Sequence, residues 1–184
     1  MTEPSADDDL PLLGEALAIE LANTRYGAGA DAVDFLGPEL AGRWARAALG
    51  GDGALSGAQL ESLRVLRDAV RVLVEATWSR EAPPPDAVAA VNRAAAGCST
   101  RAALTWAPHE GPRARVVFDG PPFEVALARA ATSAIETLTH ERPIRRCEGP
   151  GCTLWFVVDH GRRRFCHDGC SHRARQRRYT RSRR

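Results

Sequence analysis

Residues 145–184 read RRCEGPGCTLWFVVDHGRRRFCHDGCSHRARQRRYTRSRR and hold four of the chain's five cysteines. Cys147 and Cys152 form a C-x4-C pair, Cys166 and Cys170 a C-x3-C pair, and thirteen residues separate the two. Two close cysteine pairs at this spacing suit one tetrahedral Zn²⁺ ion, each pair presented by a tight turn. Cys147-Glu-Gly-Pro-Gly-Cys152 supplies glycines for a knuckle. Thr153–Val158 has the β-branched and aromatic content of a strand, Asp159-His160-Gly161 that of a turn, and Arg162–Phe165 that of a return strand. Cys166 and Cys170, four apart, put both thiolates on one face of a helix's first turn, where the macrodipole favours their charge. Knuckle, hairpin and helix make a treble-clef-like zinc finger. All four positions are filled by protein, so the site is closed and structural.

The rest of the stretch is cationic. From Cys170 onward the helix carries Arg173, Arg175, Arg177, Arg178 and Arg181, with Arg183 and Arg184 beyond, and has no apolar face to bury. Such a helix is expected to project and to meet phosphates or guanine edges, which guanidinium binds bidentately. Arg162, Arg163 and Arg164 on the hairpin add expected backbone contacts, which give affinity without sequence information. Three histidines lie close by, His160, His167 and His172. They are either further metal ligands, as in a nuclease, or residues of the turn and helix surface. No carboxylate–histidine set accompanies an open metal position, so no enzymatic activity is expected.

Charge divides the chain. Residues 142–184 carry 13 Arg against three acids, a net +10, and residues 1–141 carry −8, which together leave the overall +2. There is no lysine. A basic end on an acidic body suits a nucleic-acid-binding module joined to a regulatory domain, and a solvated basic tail is the bland alternative. No run approaches the roughly 20 apolar residues that span a bilayer. MTEPSADDDL lacks the basic start and apolar core of a secretory signal, so a cytoplasmic, nucleoid-associated protein is expected. In a reducing compartment paired cysteines serve as metal ligands sooner than as disulfides.

Ahead of the cysteines the pattern is helical. Residues 1–9 are acidic and expected to be disordered. A first helix is expected from Leu10 to about Asn23–Thr24, then a loop at Tyr26–Gly29. A second begins near Pro38 and stops at Gly50-Gly51. Ser56 and Gln59 form a capping box that opens the strongest helix, with Leu60, Leu63, Leu66/Arg67, Val70, Leu73/Val74 and Thr77/Trp78 in its buried stripe and Arg64, Arg67, Asp68, Arg71 and Glu75 on the remaining surface, so Arg67 falls at the border of the two. Pro85 can start the next helix, which carries Asn92. Ala103–Trp106 and Arg113–Phe118 alternate as strands of one hairpin. Pro121 and Pro122 then open a last helix ending before Pro143. The lone Cys98 reads as a buried small residue. The fold class is α+β: a mainly helical domain over 10–142 with one small β-hairpin, then the finger over 143–184.

These residues resemble the bacterial CGNR zinc-finger proteins, whose N-terminal part is the ABATE domain and which are described as stress-induced transcription regulators. The family's finger pattern is matched by Cys147–Cys152, Trp155-Phe156 to Asp159, Arg162–Phe165 before Cys166, and Cys170-Ser171-His172-Arg173. Leu17-Ala18-Ile19-Glu20-Leu21-Ala22-Asn23-Thr24 matches its N-terminal signature, and Arg67-Asp68-Ala69-Val70 and Asn92 match its helices. Ser171 and His172 stand where the family has the Gly and Asn of its name. The resemblance implies a regulator that binds DNA through the zinc finger, with the helical domain sensing a small polar or anionic effector or forming a homodimer. Asn23, Thr24, Arg67 and Asn92 are then the candidate pocket residues, or else cap and cross-link helices in the core. A zinc-stapled module for RNA or protein, without an operator, is the alternative.

Overall fold

The computed structural model describes residues 10, 12–27 and 32–181. The expected disordered segment 1–9, Ala28-Gly29, and Arg183 and Arg184 lie outside the described residues. The elements run α1 (Leu17–Ala22), β1 (Arg25–Tyr26), β2 (Val33–Asp34), α2 (Ala41–Leu49), α3 (Gly57–Ser79), α4 (Pro85–Ala95), β3 (Ser99–Ala107), β4 (Gly111–Asp119), α5 (Pro122–Thr139), β5 (Ile144–Arg146), β6 (Trp155–Val157) and α6 (Asp168–Arg181). The strands form three separate antiparallel pairs, β1–β2, β3–β4 and β5–β6.

The body is built around α1. Ala18, Ile19, Leu21 and Ala22 are all buried, and α3 and α5 pack against them. A helix that is apolar on nearly every side belongs inside. It is shorter than its periodicity predicts because Gly14 takes a left-handed φ of 73° and turns the chain out of register. The residues before it are held by Glu20, whose Oε1 accepts from the Leu13 amide at 2.8 Å and the Glu15 amide at 2.7 Å. Burial pushes the Glu20 carboxyl up from its ordinary range, against the pull of those amides.

Helix α3 opens as its sequence predicts. Ser56 Oγ accepts from the Gln59 amide and Gln59 Oε1 accepts from the Ser56 amide, a complete capping box. This satisfies two of the donors that a helix N-terminus leaves open. Its arginines do more than decorate a surface. Arg64 donates twice to the Leu36 carbonyl, and Arg71 Nη1 donates to the Ala22 carbonyl at 2.6 Å and the Arg25 carbonyl at 3.1 Å. Arg67, with a side chain only 4% exposed, pairs with Asp34 and with Asp68. One stripe of guanidiniums therefore pins the chain that runs from the end of α1 through β2. That chain forms a small hairpin where a loop is expected, and it delays α2 to Ala41, three residues after Pro38.

α4 and α5 both start on proline, and β3–β4 extends the predicted hairpin to nine residues per strand. Cys98 is half-buried at its base. The body's apolar cluster does not stop at Pro143. Ile144 and Trp155 belong to it, together with Trp44, Leu66, Val70 and Ala134.

Arg67 thus has a structural occupation. Arg67→Met is expected to lower stability in denaturant unfolding by about 1–3 kcal/mol, the usual range for losing a buried charged hydrogen-bond network. An unchanged midpoint would mean that Arg67 is not holding β2 to α3.

Candidate metal centre and nucleic-acid interface

The finger begins inside a hairpin. β5 and β6 pair with Ile144 opposite Val157 and Arg146 opposite Trp155, and the Cys147–Cys152 knuckle is the loop between them. The sequence predicts Arg162–Phe165 as the partner of this strand, but that segment runs as turns and bends. Arg163 is the reason. Its guanidinium donates to the carbonyls of Val157, Phe165 and Cys166, stacks 4.7 Å over the Phe156 ring, and pairs with Glu15 at 2.6 Å. A side chain replaces the ladder that a return strand would have formed. The main-chain bonds of this segment are a turn bond from the Arg163 amide to the His160 carbonyl and one from the Glu148 amide to the Arg164 carbonyl.

Cys147, Cys152, Cys166 and Cys170 are all buried, with their sulfurs within 4.8 Å of one another. Cys152 and Cys166 Sγ are 3.8 Å apart, and Cys166 and Cys170 Sγ 3.5 Å. A tetrahedral zinc with Zn–S bonds of ~2.3 Å sets its sulfurs about 3.8 Å apart, so the cluster fits one zinc ion. Cys166 lies just ahead of α6 and Cys170 in its first turn. Gly149 is required by proximity, since a Cβ there would meet Cys170 Cβ at 2.8 Å, and Gly151 takes a φ of 74°. The Cys166 and Gly149 amides donate to Cys147 Sγ, and Arg173 Nη2 lies 2.9 Å from Cys170 Sγ. Such outer donors orient and stabilise thiolate ligands.

Electrostatics points the same way. Hydrogen bonds from Cys152 and Cys166 hold the Cys147 thiol far below its ordinary range. The bond to Cys147 pushes Cys152 up to about 12 and raises Cys166 as well, and burial raises Cys170. Without a cation the cluster therefore favours one thiolate. A bound dication lets all four ionise, and metal uptake releases protons. His160, His167 and His172 are exposed and lie outside the cluster, His160 in the turn, His167 just ahead of α6 with Nδ1 accepting from the Gly169 amide, and His172 on the helix surface.

A putative-regulator family description matches this architecture. Residues 15–141 match the ABATE model, "Putative stress-induced transcription regulator", and residues 144–184 match the CGNR zinc finger. The chain belongs to the ABATE family. No curated protein matches it. In this ABATE protein the finger is fastened to the body by groups that sequence reasoning gave other tasks. Asn23 is fully buried, and its Nδ2 donates to the Trp155 carbonyl at 2.9 Å while its Oδ1 accepts from the Trp155 amide at 2.8 Å. One side chain thus pairs β6 as a neighbouring strand would. Glu15 Oε2 accepts from the Val157 amide, Thr153 Oγ1 accepts from the Gly27 amide, and Trp78 meets Trp155 edge-on at 5.8 Å.

The four candidate pocket residues do not share these surroundings. Thr24 is buried and donates to the Leu21 carbonyl, and Arg67 holds Asp34 and Asp68. Asn92 lines a groove of about 280 Å³ with Leu73, Val91 and Ile135, a lining without Asn23, Thr24 or Arg67. Among the candidate nucleic-acid residues, Arg162, Arg173, Arg175, Arg177 and Arg178 are exposed. Arg164 is exposed and paired with Glu148, while Arg163 is committed inside the finger. Arg181 ends α6.

Two outcomes follow. Cys166→Ser is expected to lose the zinc, from about one per chain to none, in elemental analysis after gel filtration. Asn23→Ala is expected to cost about 2–4 kcal/mol in denaturant unfolding, since it strands two buried main-chain groups of Trp155. Its zinc content should stay intact, and a change below ~0.5 kcal/mol would show that the finger does not depend on this anchor.

Proposed function

We propose that this ABATE protein is a transcription regulator that binds DNA through α6, with the acidic helical body as its input domain. The observation that carries this reading is a helix rooted at Cys170 in the zinc cluster, with Arg175, Arg177 and Arg178 exposed along it and no apolar face. An arginine-covered helix stays out of the core, and its natural counterpart is a polyanion. Arg162 and Arg173 are exposed and add phosphate contacts, Arg173 with the guanidinium nitrogens that its bond to Cys170 leaves over. Zinc serves as a staple that fixes where the helix starts. The regulator description of the family supports DNA over RNA as the polymer. Among the described residues no helix is long and apolar enough to cross a membrane; the nucleoid location belongs to the DNA-binding reading alone.

For the input role, the seam between body and finger supports a small polar or anionic effector better than Asn23, Thr24 and Arg67, whose groups are already bonded. A cleft of about 630 Å³ runs there, lined by Glu15, His140, Arg142, Asp159 and Arg163 among others. A ligand in it would touch the Glu15–Arg163 pair that secures the finger.

The test is fluorescence anisotropy on duplex DNA across a salt series. Arg175→Ala with Arg177→Ala should weaken binding at least tenfold and flatten the log–log salt slope by about 2, with zinc content unchanged. Unaltered affinity would move the binding surface off α6. Equal affinity for single-stranded RNA would favour the operator-free alternative.

A further inference from the structure

The β3–β4 hairpin stands out from the body as an arm. Its ladder sets Ala102 opposite Val116, Leu104 opposite Ala114 and Trp106 opposite Pro112, so these six side chains share one face. That face is apolar without interruption and lies in water: Trp106 is 70% exposed, Leu104 71% and Val116 46%. The other face carries Arg101, Thr105, Arg113 and Arg115. The arm's main contact with the body is with α5 near its base, where Val117 and Phe118 are half-buried. A two-stranded hairpin wet on both faces is marginal on its own. The three rungs span five residues per strand, and at ~3.4 Å per residue and a two-strand width of ~10 Å they give an apolar footprint of about 170 Å². Three contiguous rungs of apolar side chains in water, on an arm whose other face is polar, suit a contact surface.

We propose that the arm is a dimerisation element whose apolar face packs against the same face of a second copy of this chain. Self-complementarity selects this partner. Each of the three rungs pairs a larger side chain with a smaller one: Trp106 with Pro112, Leu104 with Ala114, Val116 with Ala102. A copy turned about a two-fold axis along the hairpin sets every larger side chain over a smaller one, the isologous contact that a symmetric dimer needs. Arg101, Arg113 and Arg115 then stay in water on the outer faces. Two facing arms cover about 340 Å² in total, far below the ~1,200 Å² of a stable interface, so the dimer is weak and dissociates on dilution. Where the DNA-binding reading holds, two α6 helices on one duplex raise the local concentration of the arms. Association in solution does not rest on that reading.

Sedimentation of the zinc-loaded full chain without DNA, from about 5 to about 500 μM, spans the range of such a weak contact. The average mass should climb from 19.9 kDa toward twice that value. Leu104→Asp with Trp106→Asp should hold it at the monomer mass while circular dichroism and zinc content stay as in wild type. Ala114→Arg, a milder change on the same face, should do the same if the double variant folds poorly. A wild-type chain that stays monomeric at the highest concentration would overturn the proposal. So would folded variants that associate as strongly as wild type. Cosedimentation with anionic phospholipid vesicles, lost in the variants and without self-association, would assign the face to lipid and overturn it equally.

Discussion

Asn23 gives both hydrogen-bonding ends of one side-chain amide to the main chain of Trp155, and the arrangement of the molecule depends on that exchange. β6 has β5 on one side only, so its other edge would otherwise sit inside the protein with an unpaired amide and carbonyl. Such groups cost on the order of 1–3 kcal/mol each when left without partners. Asn23 satisfies both and lets Trp155 enter the core formed by α1, α3 and α5. The finger therefore does not hang from a linker. It shares the hydrophobic core of the helical body, and Glu15 secures the far end of the same strand through the Val157 amide and Arg163.

From that anchor the order of constraint runs outward. β5 and β6 hold the knuckle, the knuckle presents Cys147 and Cys152, and zinc joins these to Cys166 and Cys170. Cys170 fixes the first turn of α6, so the direction of the arginine-covered helix is set through covalent and metal bonds from the body. Arginine plays two roles along this path. Arg64, Arg67 and Arg71 on α3, and Arg163 in the finger, spend their donors on internal carbonyls and carboxylates. Arg175 and Arg177 are exposed, and so is Arg178, whose Nε alone donates to the Ala174 carbonyl. Position, not residue type, separates the structural guanidiniums from the exposed ones.

Local signals were legible in the sequence and distant ones were not. The capping box at Ser56–Gln59, the prolines that open α4 and α5 and the close cysteine pairs each act within a few residues and stand where expected, and the hairpin expected at 103–118 is there and runs longer, over 99–119. The first helix came out shorter because Gly14 turns the chain, which periodicity alone does not weigh. The return strand at 162–165 is missing because the Arg163 side chain takes the carbonyls that pairing would have used. Asn23 reaches a strand 132 residues away, and neither propensity nor spacing encodes that partner. The family resemblance leaves Asn23, Thr24 and Arg67 as either pocket residues or cross-links in the core, and the partners that their groups meet are visible only in three dimensions.

The central claim is that zinc turns an arginine-rich tail into an oriented DNA-binding helix. The most direct measurement compares DNA affinity of the full chain when zinc-loaded, when stripped by a chelator, and when reloaded, at one fixed salt concentration. The guanidinium count is identical in all three. The account predicts that stripping weakens binding at least tenfold and that reloading restores it. Affinity that survives removal of the metal would contradict it, since a loose basic tail would then suffice.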